Sequence, residues 1–298
     1  MTRIFGLVLT LFMAASFISA QPSEAKYRIF TGGGEPSSLD AIIKAAEASD
    51  AVFLGEFHDD AVGHRFQLEV FEAAVSRIGA KRPVALSLEM FERDVQTVLD
   101  EYLAGLISED HFLRSSRPWP QYKTDYRPLV ELAKEKKLPV IAANAPRRYV
   151  NMVARLGKDS LEKLSPEAKK WLPPLPFAEP SEAYAKKFNA LMGRGHDPNE
   201  APSSILYSQT LWDAAMAHAV AEAMNAKKGT LVIHLNGGFH TEGRLGTVEH
   251  LLKYRPDAKA VVVTIRYEDD FNKFDPEKHK GLGDFVVLTD ASQPRSGK

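Results

Sequence analysis

The stretch AVFLGEFH, residues 51–58, decides the fold, and it has a counterpart far downstream in LVIHLNGGFH, residues 231–240. Each is a short apolar run that ends in Gly-x-Phe-His, at Gly55 to His58 and again at Gly237 to His240. In an α/β chain such a run reads as a buried strand, and its histidine emerges at the C-terminal end. Two strands that end alike predict one site.

Outward from residues 51–58 the pattern alternates. Upstream, residues 26–29 read as a short strand, Thr31 to Pro36 as a breaker cluster, and residues 38–49 as a helix capped by Ser38 or Asp40. Downstream, Phe66, Val70, Phe71, Ala74 and Val75 give a helix over 63–78 an apolar face. PVALSL at 83–88 is the second core strand and runs into Glu89, with helices following over 91–107 and 108–114. Arg117-Pro118-Trp119-Pro120 must be a loop, because two prolines flank one residue. A helix over 125–136 leads to the third core strand, 138–142, which ends at Asn144-Ala145-Pro146-Arg147-Arg148, where the proline starts the next helix. Over 156–226 the strand rhythm gives way to a helical insertion, with helices at 181–192 and 203–225, ahead of the fourth core strand at 230–235. A helix over 247–254 and strands at 260–265 and 285–288 close the chain. Alternating strands and helices predict a mostly parallel sheet flanked by helices, forming a single domain over residues 26–298.

Composition bounds the function. Of 298 residues, 44% are apolar and 26% charged, as in a globular protein with a sizeable core, and the net charge of −1 with no block of like charge implies no nucleic-acid partner. There is no cysteine, which excludes disulfides, zinc–thiolate sites, thiol catalysis and a cysteine-linked lipid anchor. Arg3, the apolar run over 4–17 and the small residues at Ser19-Ala20 read as a signal peptide, residues 1–20, so an exported and periplasmic protein is expected.

Glu56, His58, Glu89, Asn144, Arg147 and His240 all fall just past strand C-termini, where open α/β sheets bind ligands. Two imidazoles with carboxylates suit a divalent metal, held by His58, His240 and Glu89. Equally, a histidine beside Glu56 or Glu89 suits a general base with its orienting carboxylate, and the spacing does not decide between them. Arg147 and Arg148 can bind a carboxylate or phosphate near the crevice, or stand as solvated charges on a first helical turn. His234, inside an apolar strand, is a core residue; His64 stands behind the first motif. His218 is close in sequence to Asp213 without sharing its face. Asp213, amid apolar neighbours, needs a partner, for which an arginine is expected. Tyr184, Tyr207, Met192 and Met216 can line an apolar pocket.

Taken together and in order, LGEFHDDAVGH, SLEMFERD, RPWPQYKTDYRPLVELAKEKKLPVIAANAPRRYV, LWDAAMAHAV and LNGGFHTEGRLG, spread over about 51–265, resemble the ChaN-like haem-binding family, within the superfamily that includes the Tiki proteases and erythromycin esterases. The resemblance implies an α/β core with a helical insertion, export, haem as cofactor, a haem-bridged homodimer and a role in haem or iron acquisition alongside membrane uptake components. Tyrosine haem ligation is associated with the family, which makes Tyr184 and Tyr207 candidates beside the crevice histidines, with Arg147 and Arg148 for the propionates. The Tiki-type relatives imply the alternative, a metal-dependent hydrolase using His58, His240 and Glu56 or Glu89. Family members are often lipoproteins, and the missing cysteine departs from that pattern. A binding protein rather than an enzyme is expected.

Overall fold

The structure is a computed structural model that describes residues 26–193, 197 and 202–297; the expected signal peptide lies outside the described residues. Seven strands form one sheet: β1 (Tyr27–Thr31), β2 (Ala51–Glu56), β3 (Val84–Glu92), β4 (Val140–Asn144), β5 (Leu231–Gly237), β6 (Ala260–Glu268) and β7 (Phe285–Asp290), in the order β1-β7-β6-β2-β5-β3-β4. Every pairing is parallel except that of β1 with β7. The mostly parallel sheet with flanking helices matches the expectation.

This order places the site. Strands β2 and β5, far apart in sequence, are direct neighbours, with Gly55 opposite Asn236 and Glu56 opposite Gly237. Strand β3 lies on the other side of β5, and β4 beside β3, so the ends carrying His58, His240, Glu89 and Asn144 are consecutive along one edge of the layer.

Hydrophobic burial explains why the sheet is covered on both faces. On one face, Val52, Leu54, Leu86 and Leu88 pack with Ile42, Phe66, Val70, Phe71 and Leu129, from the helices Leu39–Glu47, Ala61–Arg77 and Arg127–Glu135. On the other, Ala51, Phe53 and Val232 meet Ala217, Val220 and Ala221 of the helix Ser204–Ala226 and Val248 and Leu251 of Thr247–Tyr254. The alanines let that long helix lie close to the sheet, where it also buries Met216 against Ala143.

Several boundaries differ from the expected ones, most of all around β3. Strand β3 continues past residue 88 to Glu92, because Met90 and Phe91 are buried in the core and Glu92 pairs with Asn144 of β4 across a register shift. The following helix therefore spans only Gln96–Leu103. Ser38, rather than Asp40, caps the first helix by accepting the Ala41 N–H.

Candidate functional site

Glu56, the last residue of β2, is buried and surrounded by donors. His58 Nδ1–H donates to Oε1 (2.9 Å), Tyr126 Oη donates to the same oxygen (2.6 Å), and Gln67 Nε2 donates to Oε2 (2.6 Å). His64, one turn into the helix capped by Asp60, lies 3.5 Å from Oε2 through Nδ1. Its two ring nitrogens face acceptors, Gln67 Oε1 (3.1 Å) and the His58 carbonyl (3.2 Å), with Asp125 at 3.4 Å, so the ring is held as an imidazolium. Burial opposes that charge, but the Glu56 and Asp125 carboxylates outweigh it and push the His64 pKa up to about 9. Burial likewise opposes the Glu56 carboxylate, and the His64 charge with the histidine hydrogen bonds holds its pKa down to about 2.

His58 is thereby fixed. Its Nδ1–H is committed to Glu56, its ring stands edge-on to Trp119 with centroids 4.8 Å apart, and its side chain remains 43% exposed. Nε2 is left with a lone pair when the ring is neutral. Burial lowers the His58 pKa, while the Glu56 hydrogen bond and the Glu89 and Glu56 charges prevail and raise it above the ordinary value. Beneath the ring lies Gly237, where a Cβ would come within 2.9 Å of Cε1 and Nε2. Glycine at this place in the second motif makes room for the histidine of the first.

The second motif builds a matching arrangement. His240, in the turn Gly238–His240, donates from Nδ1 to Asp213 Oδ1 (2.9 Å), which also accepts from Thr247 Oγ1 (2.8 Å). Asp213 therefore answers to a histidine and a threonine, not to an arginine. Burial works against charging His240, and the Asp213 and Glu89 carboxylates overcome it and raise its pKa. Glu89 lies between the two histidines. Its Oε2 accepts the Gly237 N–H (2.6 Å), and its Oε1 is 3.9 Å from His240 Nε2.

His58, His240, Glu56, Glu89, Asn144 and Arg147 thus line one crevice, of about 720 Å³. Phe188, Leu191, Met192, Ile205, Trp212 and Phe239 form its apolar wall. Ile205, Gln209 and Trp212 share one face of the long helix, and Tyr207 falls on another, where its hydroxyl donates to Glu179 (2.7 Å). Tyr184 is buried behind the wall, its ring 5.3 Å from Phe239. Neither tyrosine lines the crevice, because helical periodicity turns one away and packing covers the other. Arg148 is also turned out, ion-paired with Asp94 and stacked on Tyr149. Met192 lines the mouth, whereas Met216 is core. His234 is a core residue as expected, bonded to Ser87 (2.9 Å), with burial pushing its pKa down to about 3. His218 lies 3.6 Å from Glu222, away from the site.

The metal reading does not fit this geometry. Among the described residues no group of three or more His, Cys, Asp or Glu side chains is arranged to hold a metal ion.

Several site residues carry no recognisable sequence signal. Gln121 donates to the His58 carbonyl (3.1 Å), and Lys187 and Arg266 converge on buried Glu242 at 3.4 and 2.6 Å. Gln67 was missed as well, although its place three residues from His64 on an otherwise apolar helix face is a signal that could have found it.

A family model described as haem-binding uptake, Tiki superfamily, ChaN matches residues 42–251. The comparison with curated proteins gives no match. Among solved structures, ChaN of Campylobacter jejuni with cofacial haem is similar at 18% identity and a TM-score of 0.66, covering 90% of this chain and 98% of that one. A Bacillus cereus protein is similar at 13% identity and 0.51, covering 88% and 94%, and a succinoglycan biosynthesis protein at 12% and 0.52, covering 87% and 92%. At these identities the structural likeness shows the fold.

Proposed function

Since the chain belongs to the ChaN-like haem-binding uptake family of the Tiki superfamily, we propose that it is an exported protein of haem or iron acquisition that holds haem in the crevice at the strand ends, with His58 facing the iron. The observation that carries this is the state of His58: Nδ1 is locked on Glu56, Nε2 makes no hydrogen bond among the described residues, the residue lines an apolar-walled crevice of about 720 Å³, and the side chain is still accessible. The volume is in the range of small-molecule and cofactor sites, and a carboxylate-oriented imidazole is a recurrent haem ligand. Arg147 is exposed at the mouth with no carboxylate partner among the described residues, which suits a propionate. Leu191, Met192 and Ile205, 68%, 44% and 44% exposed at the same mouth, supply apolar surface for a second copy in a haem-bridged dimer. Titration with haemin tests the reading: a saturable Soret shift is expected, and its absence overturns it.

A second reading is supported by the paired carboxylate–histidine arrangements. Glu56–His58 and Asp213–His240 with Glu89 between them suit proton transfer without a metal. An ester and peptide hydrolysis screen decides it: activity lost in both His58→Ala and His240→Ala supports a hydrolase, and no turnover removes that reading.

A further inference from the structure

Strands β5, β3 and β4 are each preceded by a basic pair: Lys227-Lys228 before β5, Lys81-Arg82 before β3 and Lys136-Lys137 before β4. The three strands are consecutive in the sheet and parallel, so the pairs lie side by side at its base. That base is separated from the crevice by the length of β3, nine residues or roughly 25–30 Å.

A cavity of about 600 Å³ opens among the pairs and shares no residue with the crevice. Val84, Leu138, Ile141 and Ala223 give it apolar walls. Lys81, Arg82, Lys137 and Lys227 also line it, and no carboxylate does. Its size and lining are those of a small-molecule site.

Cations after helix C-termini commonly do no more than answer the negative end of the helix dipole, about half a charge each. Here they exceed that need. Lys81 is paired with Glu47 (3.2 Å) and Lys136 with Glu135 (2.8 Å), while Arg82 faces the charge of Asp50 and donates to the Ala46 and Ser49 carbonyls. The exposed ammonium groups of Lys137, Lys227 and Lys228 have no partner among the described residues. Against three carboxylates and three helix ends, the six cations leave an excess of roughly one to two positive charges. That excess suits one anionic group beside an apolar body.

We propose that this cavity binds a single-chain amphiphile with one anionic head group, of the fatty-acid type. The chain lies against Val84, Leu138, Ile141 and Ala223, and the head group meets Lys137 and Lys227. The site is independent of what the crevice holds.

Isothermal titration calorimetry with decanoate, below its micelle concentration, tests the proposal, with decan-1-ol as the chain without the charge and decyl phosphate as the alternative head group. One saturable site is expected, with decanoate bound about tenfold or more tightly than decan-1-ol, as for charge-assisted hydrogen bonds. Lys137→Glu combined with Lys227→Glu should remove that preference and leave the decan-1-ol affinity unchanged; both lysines are exposed and unpaired, so the fold does not depend on them. Ala226→Trp, at an exposed position that lines the cavity, should weaken all three compounds. Whichever of decanoate and decyl phosphate binds more tightly identifies the head group. No saturable decanoate binding, equal affinity for decanoate and decan-1-ol, or decanoate binding that is unchanged in both variants overturns the proposal, the last by placing the amphiphile elsewhere on the protein.

Discussion

Replacing Glu56 by Gln changes one atom type at the most connected point of the site. The carboxylate accepts from His58, Tyr126 and Gln67 and lies 3.5 Å from the His64 imidazolium. An amide keeps the shape, but its NH₂ meets the Gln67 NH₂ or the other donors, and the imidazolium loses its nearest counter-charge. Breaking a buried ion pair by removing one partner costs about 3–5 kcal/mol. The rise of the His64 pKa from 6.5 to about 9 corresponds to about 3 kcal/mol, which agrees in size. The pH dependence follows from the same interaction. The His64 contribution is complete below 6.5 and lost as pH rises through about 9; the Glu56 contribution is complete above 4.5 and lost as pH falls toward about 2. These are two titrations of one interaction, so its full effect lies between pH 4.5 and 6.5. Urea denaturation followed by circular dichroism should show Glu56→Gln less stable by about 3 kcal/mol at pH 5.5, with the gap narrowing toward pH 10. A gap below about 1 kcal/mol at pH 5.5, or one that widens with rising pH, refutes the network.

Further outcomes follow from the same geometry. Gly237→Ala drives a methyl group to within 2.9 Å of the His58 ring, and should cost about 1–3 kcal/mol in urea denaturation and weaken haemin binding; an unchanged affinity would show that His58 need not hold its position. Because the iron competes with a proton for His58 Nε2, and the His58 pKa is raised, haemin affinity should fall as pH drops from 8.5 to 6; spectrophotometric titrations that show flat or tightening binding would contradict this. Asp213→Asn removes the charge that holds His240 and should lower the His240 pKa, read by NMR titration, with a loss of about 1–3 kcal/mol in stability; an unmoved His240 resonance would refute the pairing.

The parts legible in the sequence were those written in local patterns. Strands β2 and β5 announced themselves because apolar runs ending in Gly-x-Phe-His have a single comfortable reading, and their adjacency follows from the parallel order. The end of β3 was not legible, since Met90 and Phe91 fit an amphipathic helix as well as a buried strand, and pairing with β4 decides between them. The convergence of His58, His240, Glu89, Asn144 and Arg147 was readable from strand ends alone. Which groups each of them meets was not: Tyr126 and Asp213 reach the site from 70 and 27 residues away, through tertiary packing. The tyrosines show the limit of composition. Tyr184 and Tyr207 lie in helices that wall the crevice, and only the helical phase and the packing of Phe239 reveal that neither faces it.

The central claim is that His58 presents Nε2 to haem iron from the crevice at the strand ends. Electron paramagnetic resonance and absorption spectra of the haemin-loaded protein test it most directly, with His58→Ala alongside and imidazole added back. The account predicts nitrogen ligation in the unmodified protein, its loss in His58→Ala and its recovery with free imidazole. Spectra unchanged by His58→Ala would place the iron on another residue and contradict the account.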